Sequence, residues 1–181
     1  MIVWVIFMEN IILTGYMGSG KTTVGRNIAK LKGYTFVDTD ERIVEQQHRS
    51  IRDIFATEGE QKFRDIETAL LRQLIAEGKE QLVISTGGGM PLRAENRQLL
   101  SRLGKVVYLK ANPETIYNRI KGDTTRPLLE CDDPMKRIEE MLAARGPLYE
   151  EGAMLIVEVD GLKKSQAASE IITKCSVTFA S

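Results

Sequence analysis

Residues 15–22 read Gly15-Tyr16-Met17-Gly18-Ser19-Gly20-Lys21-Thr22, which fits G-x-x-x-x-G-K-[ST], the spacing of a phosphate-binding loop. The chemistry needs those types in that order. Glycines let the backbone curl tightly around an oxygen-rich anion. Loop N–H groups and a following helix N-terminus then face phosphate oxygens. Lys21 brings a mobile positive charge to the β- and γ-phosphates, and the Thr22 hydroxyl can hold Mg2+. The bland alternative is a Gly-rich turn before a helix. The lysine, the hydroxyl and both flanks favour the phosphate loop.

Further groups must complete a site. Asp38 and Asp40 lie two apart after an apolar run. One carboxylate could hold a metal's water shell and the other orient or deprotonate a hydroxyl. An Asp before Glu41-Arg42-Ile43 is also a good helix N-cap, and spacing alone leaves the two readings open. Thr86-Gly87-Gly88-Gly89 is a second glycine cluster whose N–H groups could bind ligand oxygens. No acid ends the strand before it, so Asp38 is the better Mg2+ candidate. Arg64 and Glu67, three apart, read as a surface ion pair. Arg145 continues the inward stripe of Ile138, Met141 and Leu142, where an arginine needs an anion or a wet cleft. Arg126 lies in a polar segment and is either a charge clamp for a γ-phosphate or a solvated loop arginine.

The elements that must position these groups follow from periodicity. Residues 10–14 read as a short buried strand. Val24, Ile28 and Leu31 predict a helix that Gly33 stops. A strand over 34–37 runs into Asp38. Short helices and turns fill 41–57, and a long helix over 58–77 carries Phe63, Ile66, Leu70 and Leu74 on one stripe. Strands at 81–85, 105–109 and 154–159 alternate with helices at 93–102, from Asn112-Pro113 onward, at 133–151 and at 163–175. Residues 121–133 are polar, hold two prolines if Pro134 at their border is counted, and read as a lid. Alternating strands and helices imply a parallel sheet covered on both faces.

The 181 residues suit one α/β domain, and 25 basic residues balance 25 acidic ones. A zero formal charge gives no long-range pull toward nucleic acid or a membrane surface. Cys131 and Cys175 have no metal-like spacing and read as free thiols in a reducing cytosol. His48, in a polar stretch, reads as a surface residue. Residues 1–7 are wholly apolar, too short to span a bilayer and without a secretory pattern. They read as a dispensable extension ahead of Met8, whose deletion should leave activity and solubility intact.

Over residues 10–175 the chain resembles the shikimate kinase family. The matching pieces are Leu13 through Gly25, Phe36-Val37-Asp38-Thr39-Asp40, Ile51 to Phe55, Gly59-Glu60, Phe63-Arg64 and Glu67. They continue with Ser85-Thr86-Gly87-Gly88-Gly89, Arg126-Pro127-Leu128-Leu129 and Arg145-Gly146-Pro147-Leu148-Tyr149. The resemblance implies a three-layer α/β/α phosphate-loop kinase fold. Its five-stranded parallel sheet would run 2-3-1-4-5, as in nucleoside monophosphate kinases. It implies a single domain over 8–176, with a substrate-binding region about 40–70 and a lid about 121–133.

The implied reaction is transfer of the ATP γ-phosphate to the 3-hydroxyl of shikimate, on the route to chorismate and aromatic amino acids. By position, Gly18, Ser19, Gly20, Lys21, Thr22 and Thr23 would bind ATP, with Arg126 from the lid and Arg119 stacked near adenine. One Mg2+ per subunit would sit on Thr22 and, through water, on Asp38. Asp40, Arg64, Gly87, Gly88, Gly89 and Arg145 would bind shikimate. Asp40, Lys21 and Arg126 would be catalytic. The resemblance implies a cytoplasmic monomer with no nucleic-acid or membrane partner. Residues 160–164 lack the proline the family often carries after the last strand, which leaves adenine contacts there open. The rival readings are a gluconate-type sugar-acid kinase and a nucleotide-binding relative without activity.

Overall fold

Strand β1 (Ile11–Thr14) is buried along its whole length, and the rest of the sheet is built outward from it. The computed structural model describes residues 10–122 and 132–177. After β1 come α1 (Lys21–Lys32), β2 (Thr35–Asp38), α2 (Thr39–Gln47), α3 (Ile51–Glu77) and β3 (Leu82–Ser85). A 3-10 turn over Met90–Leu92 leads to α4 (Ala94–Leu103), β4 (Lys105–Lys110), α5 (Pro113–Ile120), α6 (Pro134–Glu151), β5 (Leu155–Glu158) and α7 (Lys164–Val177).

All four strand pairings are parallel, and the order is β2-β3-β1-β4-β5, the one that the family resemblance implies. Alternation along β1 divides the core. Ile11 and Leu13 join Val24, Ile28 and Ile171 on one face, while Ile12 joins Leu70, Leu71 and Leu100 on the other. A strand apolar on both faces is what a sheet covered on both sides requires. Asn10 fastens the amino edge: its amide donates to Lys79 O and Leu103 O, each at 3.0 Å, and its Oδ1 accepts from Leu82 N at 2.9 Å.

Because every strand is parallel, their carboxyl ends share one edge. There β1 releases the phosphate loop, β2 releases Asp38 to Asp40, and β3 releases Thr86 to Gly89. This is the edge where open α/β sheets hold ligands.

One local expectation is corrected. Leu31 is 62% exposed rather than inward. The buried stripe of α1 runs through Val24, Gly25, Ile28 and Ala29, which places Leu31 at its margin. The region 41–57 is built of short helices and a turn, as expected. It holds α2 and the start of α3, which a Ser50–Asp53 capping box opens and Gly59, with non-helical dihedrals, interrupts. Of the expected lid, Lys121, Gly122, Asp132 and Asp133 are described; Arg126 and Cys131 lie outside the described residues, as do residues 1–7.

Candidate active site

The phosphate loop wraps the start of α1. Gly20 is the N-cap of that helix with φ 101°, a left-handed value that any side chain would strain. Lys21 lies within the loop it follows, its ammonium 2.8 Å from Gly15 O and 3.0 Å from Tyr16 O. Ser19 is fully buried, and its N–H donates to Tyr16 O at 3.2 Å within the loop. Arg119, from α5, donates to Gly18 O at 3.1 Å and Ser19 O at 3.0 Å, and so braces the loop from behind.

A cleft of about 390 Å³ runs along this loop. Gly18, Gly20, Lys21, Thr22 and Thr23 line it together with Asp38, Asp40, Gly87, Gly88, Arg119 and Lys164. Lys164 was not singled out by its sequence context. A β-carbon on Gly20 would meet its Nζ at 2.5 Å. Burial, and then the charge of Arg119, lowers the Lys164 pKa. Such an arrangement concentrates positive charge and free N–H groups where a polyphosphate fits.

Asp38 resolves the choice that spacing left open, because its two oxygens divide the work. Oδ1 caps α2, accepting from Asp40 N at 3.0 Å and Glu41 N at 3.4 Å. Oδ2 accepts from the Thr22 hydroxyl at 3.2 Å. The cap is therefore Asp38, not Asp40. Ser85 Oγ lies 3.5 Å from the same Thr22 hydroxyl. Three hard oxygens beside the phosphate loop suit Mg2+, which takes one or two protein oxygens and completes its shell with water and phosphate.

Asp40 stands in the first turn of α2, freed from capping duty. Its Oδ1 is buried and meets no hydrogen-bond donor among the described residues. Burial first, and then the Asp38 charge, raises its pKa, while Lys21 and Arg64 pull it back. A carboxylate left unsatisfied in this way is an acceptor held ready for a proton or a hydroxyl.

The glycine cluster is shaped around two of these groups. The Gly87 N–H donates to the buried Thr39 hydroxyl at 2.9 Å. A β-carbon on Gly87 would lie 2.5 Å from Asp40 Oδ1, and one on Gly89 would collide with the Arg64 guanidinium. The Gly88 and Gly89 N–H groups meet no acceptor among the described residues, so they are the ones free for a ligand.

Arg64 and Glu67 are not the surface pair that their spacing suggested. Glu67 is fully buried and accepts from Arg64 Nη1 at 2.7 Å. Burial pushes the Glu67 carboxyl up to about 7, against the pull of Arg64. The same pairing raises the Arg64 pKa against the opposing effect of its own burial. The contact is short and joins a charged donor to a carboxylate. Glu60 binds Arg64 from the solvent side at 2.9 Å. Arg145, on α6, sits 5.8 Å from the Tyr16 ring centroid, which brings it next to the phosphate loop.

The arrangement joins an anion cradle to a polar pocket with an acceptor carboxylate between them. The shikimate kinase family model matches residues 17–176. A shikimate kinase of Thermodesulfovibrio yellowstonii is 44% identical over 165 residues, 91% of this chain and 94% of that one. The chain belongs to the shikimate kinase family. A second shikimate kinase, from Neisseria gonorrhoeae, is 46% identical over 152 residues, covering 84% of this chain and 88% of its own. Among solved structures, the shikimate kinase of Acinetobacter baumannii in complex with shikimate superposes with a TM-score of 0.88 at 37% identity, over 96% of both chains. The shikimate kinase fold thus accounts for the sheet order and for the strand ends on which the cleft is built. No helix among the described residues is long and apolar enough to cross a membrane.

Proposed function

We propose that the cleft transfers the γ-phosphate of ATP to the 3-hydroxyl of shikimate, giving shikimate 3-phosphate for chorismate and aromatic amino acid synthesis. The observation that carries this reading is Asp40 Oδ1, buried and without a donor among the described residues, where the charges of Lys21 and Arg64 both act on the carboxyl. Asp40 takes the proton of the 3-hydroxyl as that oxygen bonds to the γ-phosphorus. The bond from the γ-phosphorus to the β–γ bridging oxygen breaks, and ADP leaves with the electron pair. Lys21 offsets the charge that builds on the phosphate oxygens. Gly18, Ser19, Gly20, Thr22 and Thr23 supply backbone and hydroxyl donors to the triphosphate. Arg119 and Lys164 hold the nucleotide end of the cleft.

Arg64 and Arg145 grip the shikimate carboxylate, helped by the N–H groups of Gly88 and Gly89, with Gly87 keeping the approach to Asp40 clear. Two guanidinium groups suit a small planar carboxylate, since each makes paired, charge-assisted hydrogen bonds. Thr22 and, through water, Asp38 would hold one Mg2+ per subunit, which would supply charge neutralisation at the triphosphate. The region about 40–70 receives the acid. The segment about 121–133 closes as a lid, bringing Arg126 over the γ-phosphate. The enzyme acts as a monomer in this reading, and the use of ATP suits a cytoplasmic enzyme.

Proton and phosphorus NMR of the products tests this reading. We expect a phosphate ester at the 3-position of shikimate, formed one-for-one with ADP. ADP release indifferent to shikimate, or phosphorylation of gluconate in its place, would overturn it.

A further inference from the structure

Tyr149, on α6, is buried among side chains that the transfer chemistry does not use, yet its hydroxyl ends between two parts of the acid site. It is 1% exposed. The hydroxyl donates to Gly88 O at 2.6 Å. Arg145 lies one turn earlier on the same helix. Its ring is fixed against Tyr108 of β4, with centroids 5.1 Å apart. One buried hydrogen bond thus ties α6, at Tyr149, to the backbone at Gly88.

We propose that the Tyr149 hydroxyl is a positioning group that pins α6, and with it Arg145, to the Gly88 carbonyl and so sets the spacing of two elements that grip the acid's carboxylate. The proposal rests on the reading of shikimate as acceptor. Arg145 comes from α6 and the glycines from the end of β3, and no backbone hydrogen bond of a shared element holds them in register. Planarity of the peptide means that pinning the Gly88 carbonyl also fixes the direction of the Gly89 N–H. Burial pushes the Tyr149 hydroxyl up to about 12, so it keeps the proton it donates across the working range. A phenylalanine there would preserve the ring stack and the packing and delete only the link.

The test is a kinetic double-mutant cycle on the full chain, with shikimate and ATP as substrates. In Tyr149→Phe we expect the shikimate KM to rise about tenfold, the loss of a short buried hydrogen bond, while the ATP KM and the kcat at saturation stay within about twofold. Added to Arg145→Ala, Tyr149→Phe should cost less than about threefold, because the group it holds is already gone. A shikimate KM within about twofold of the parent would overturn the proposal. So would effects that multiply in full, or a lowered Tm with both KM values raised together, which marks mere packing. A parent protein that does not phosphorylate shikimate defeats the functional reading and this inference with it; an active parent with an indifferent variant defeats this inference alone.

Discussion

Gly87 lies so close to Asp40 that a β-carbon on it would sit 2.5 Å from Asp40 Oδ1 and 3.3 Å from Glu67 Oε1. Both oxygens are buried and meet no donor among the described residues. A methyl group in that gap must push the carboxylate aside. We therefore expect Gly87→Ala to lower kcat with shikimate by about tenfold or more, since misplacement of a reacting group by an ångström costs up to about 10²-fold. ATP affinity should be retained, because the triphosphate side of the cleft is untouched. Steady-state kinetics with each substrate varied separately checks the split.

Asp40→Asn keeps the shape of the side chain and removes its capacity to take a proton. Turnover should fall by about 10²–10⁴-fold, the usual worth of a general base. Calorimetric titration should find ATP binding near that of the parent. Near-normal turnover would remove Asp40 from the role of base.

Asp38 divides its oxygens between a helix cap and the Thr22 hydroxyl, and two substitutions separate the duties. Asparagine is a good cap and a poor Mg2+ ligand. Asp38→Asn should hold its Tm while the Mg2+ concentration for half-maximal activity rises. Asp38→Ala should lose the Mg2+ response and also about 1 kcal/mol of stability through the missing cap. Thermal melts beside Mg2+ titrations of activity distinguish them.

Glu67 gives a prediction in pH. Its folded pKa, about 7, stands above the ordinary 4.5 because the carboxyl is buried. The folded state therefore holds a proton more tightly than the unfolded chain. The contribution to stability is complete below about 4.5 and is lost as pH rises through about 7. Glu67→Gln, which keeps an acceptor for Arg64 and cannot titrate, should flatten the stability profile across that window. Denaturant melts at half-unit pH steps are the measurement.

Much of the site was legible because its residue types have few other uses. A glycine-rich loop ending in Lys21-Thr22 and a triple glycine at a strand end both announce backbone that must approach something closely. The sheet followed from apolar runs and glycine stops at regular intervals. What stayed hidden depends on tertiary contact. Glu67 at three residues from Arg64 has the spacing of a solvent pair, and only the packing of α3 shows that it is buried. Lys164 belongs to a polar loop in sequence and comes beside Gly20 only when α7 docks against α1. Asp38 and Asp40 could each have been the cap; the turn of the chain after β2 decided between them. Leu31 has helical spacing with Ile28 but lies at the margin of the buried stripe, which periodicity over one short helix does not resolve.

The most direct measurement is a crystal structure of the chain with ADP, Mg2+ and shikimate. The account predicts the acid's 3-hydroxyl within about 2.6–3.2 Å of an Asp40 oxygen, on the phosphate-loop side, with its carboxylate on Arg64 and Arg145. Shikimate bound elsewhere, or turned so that its carboxylate faces Lys21 and its 3-hydroxyl faces away from Asp40, would contradict it.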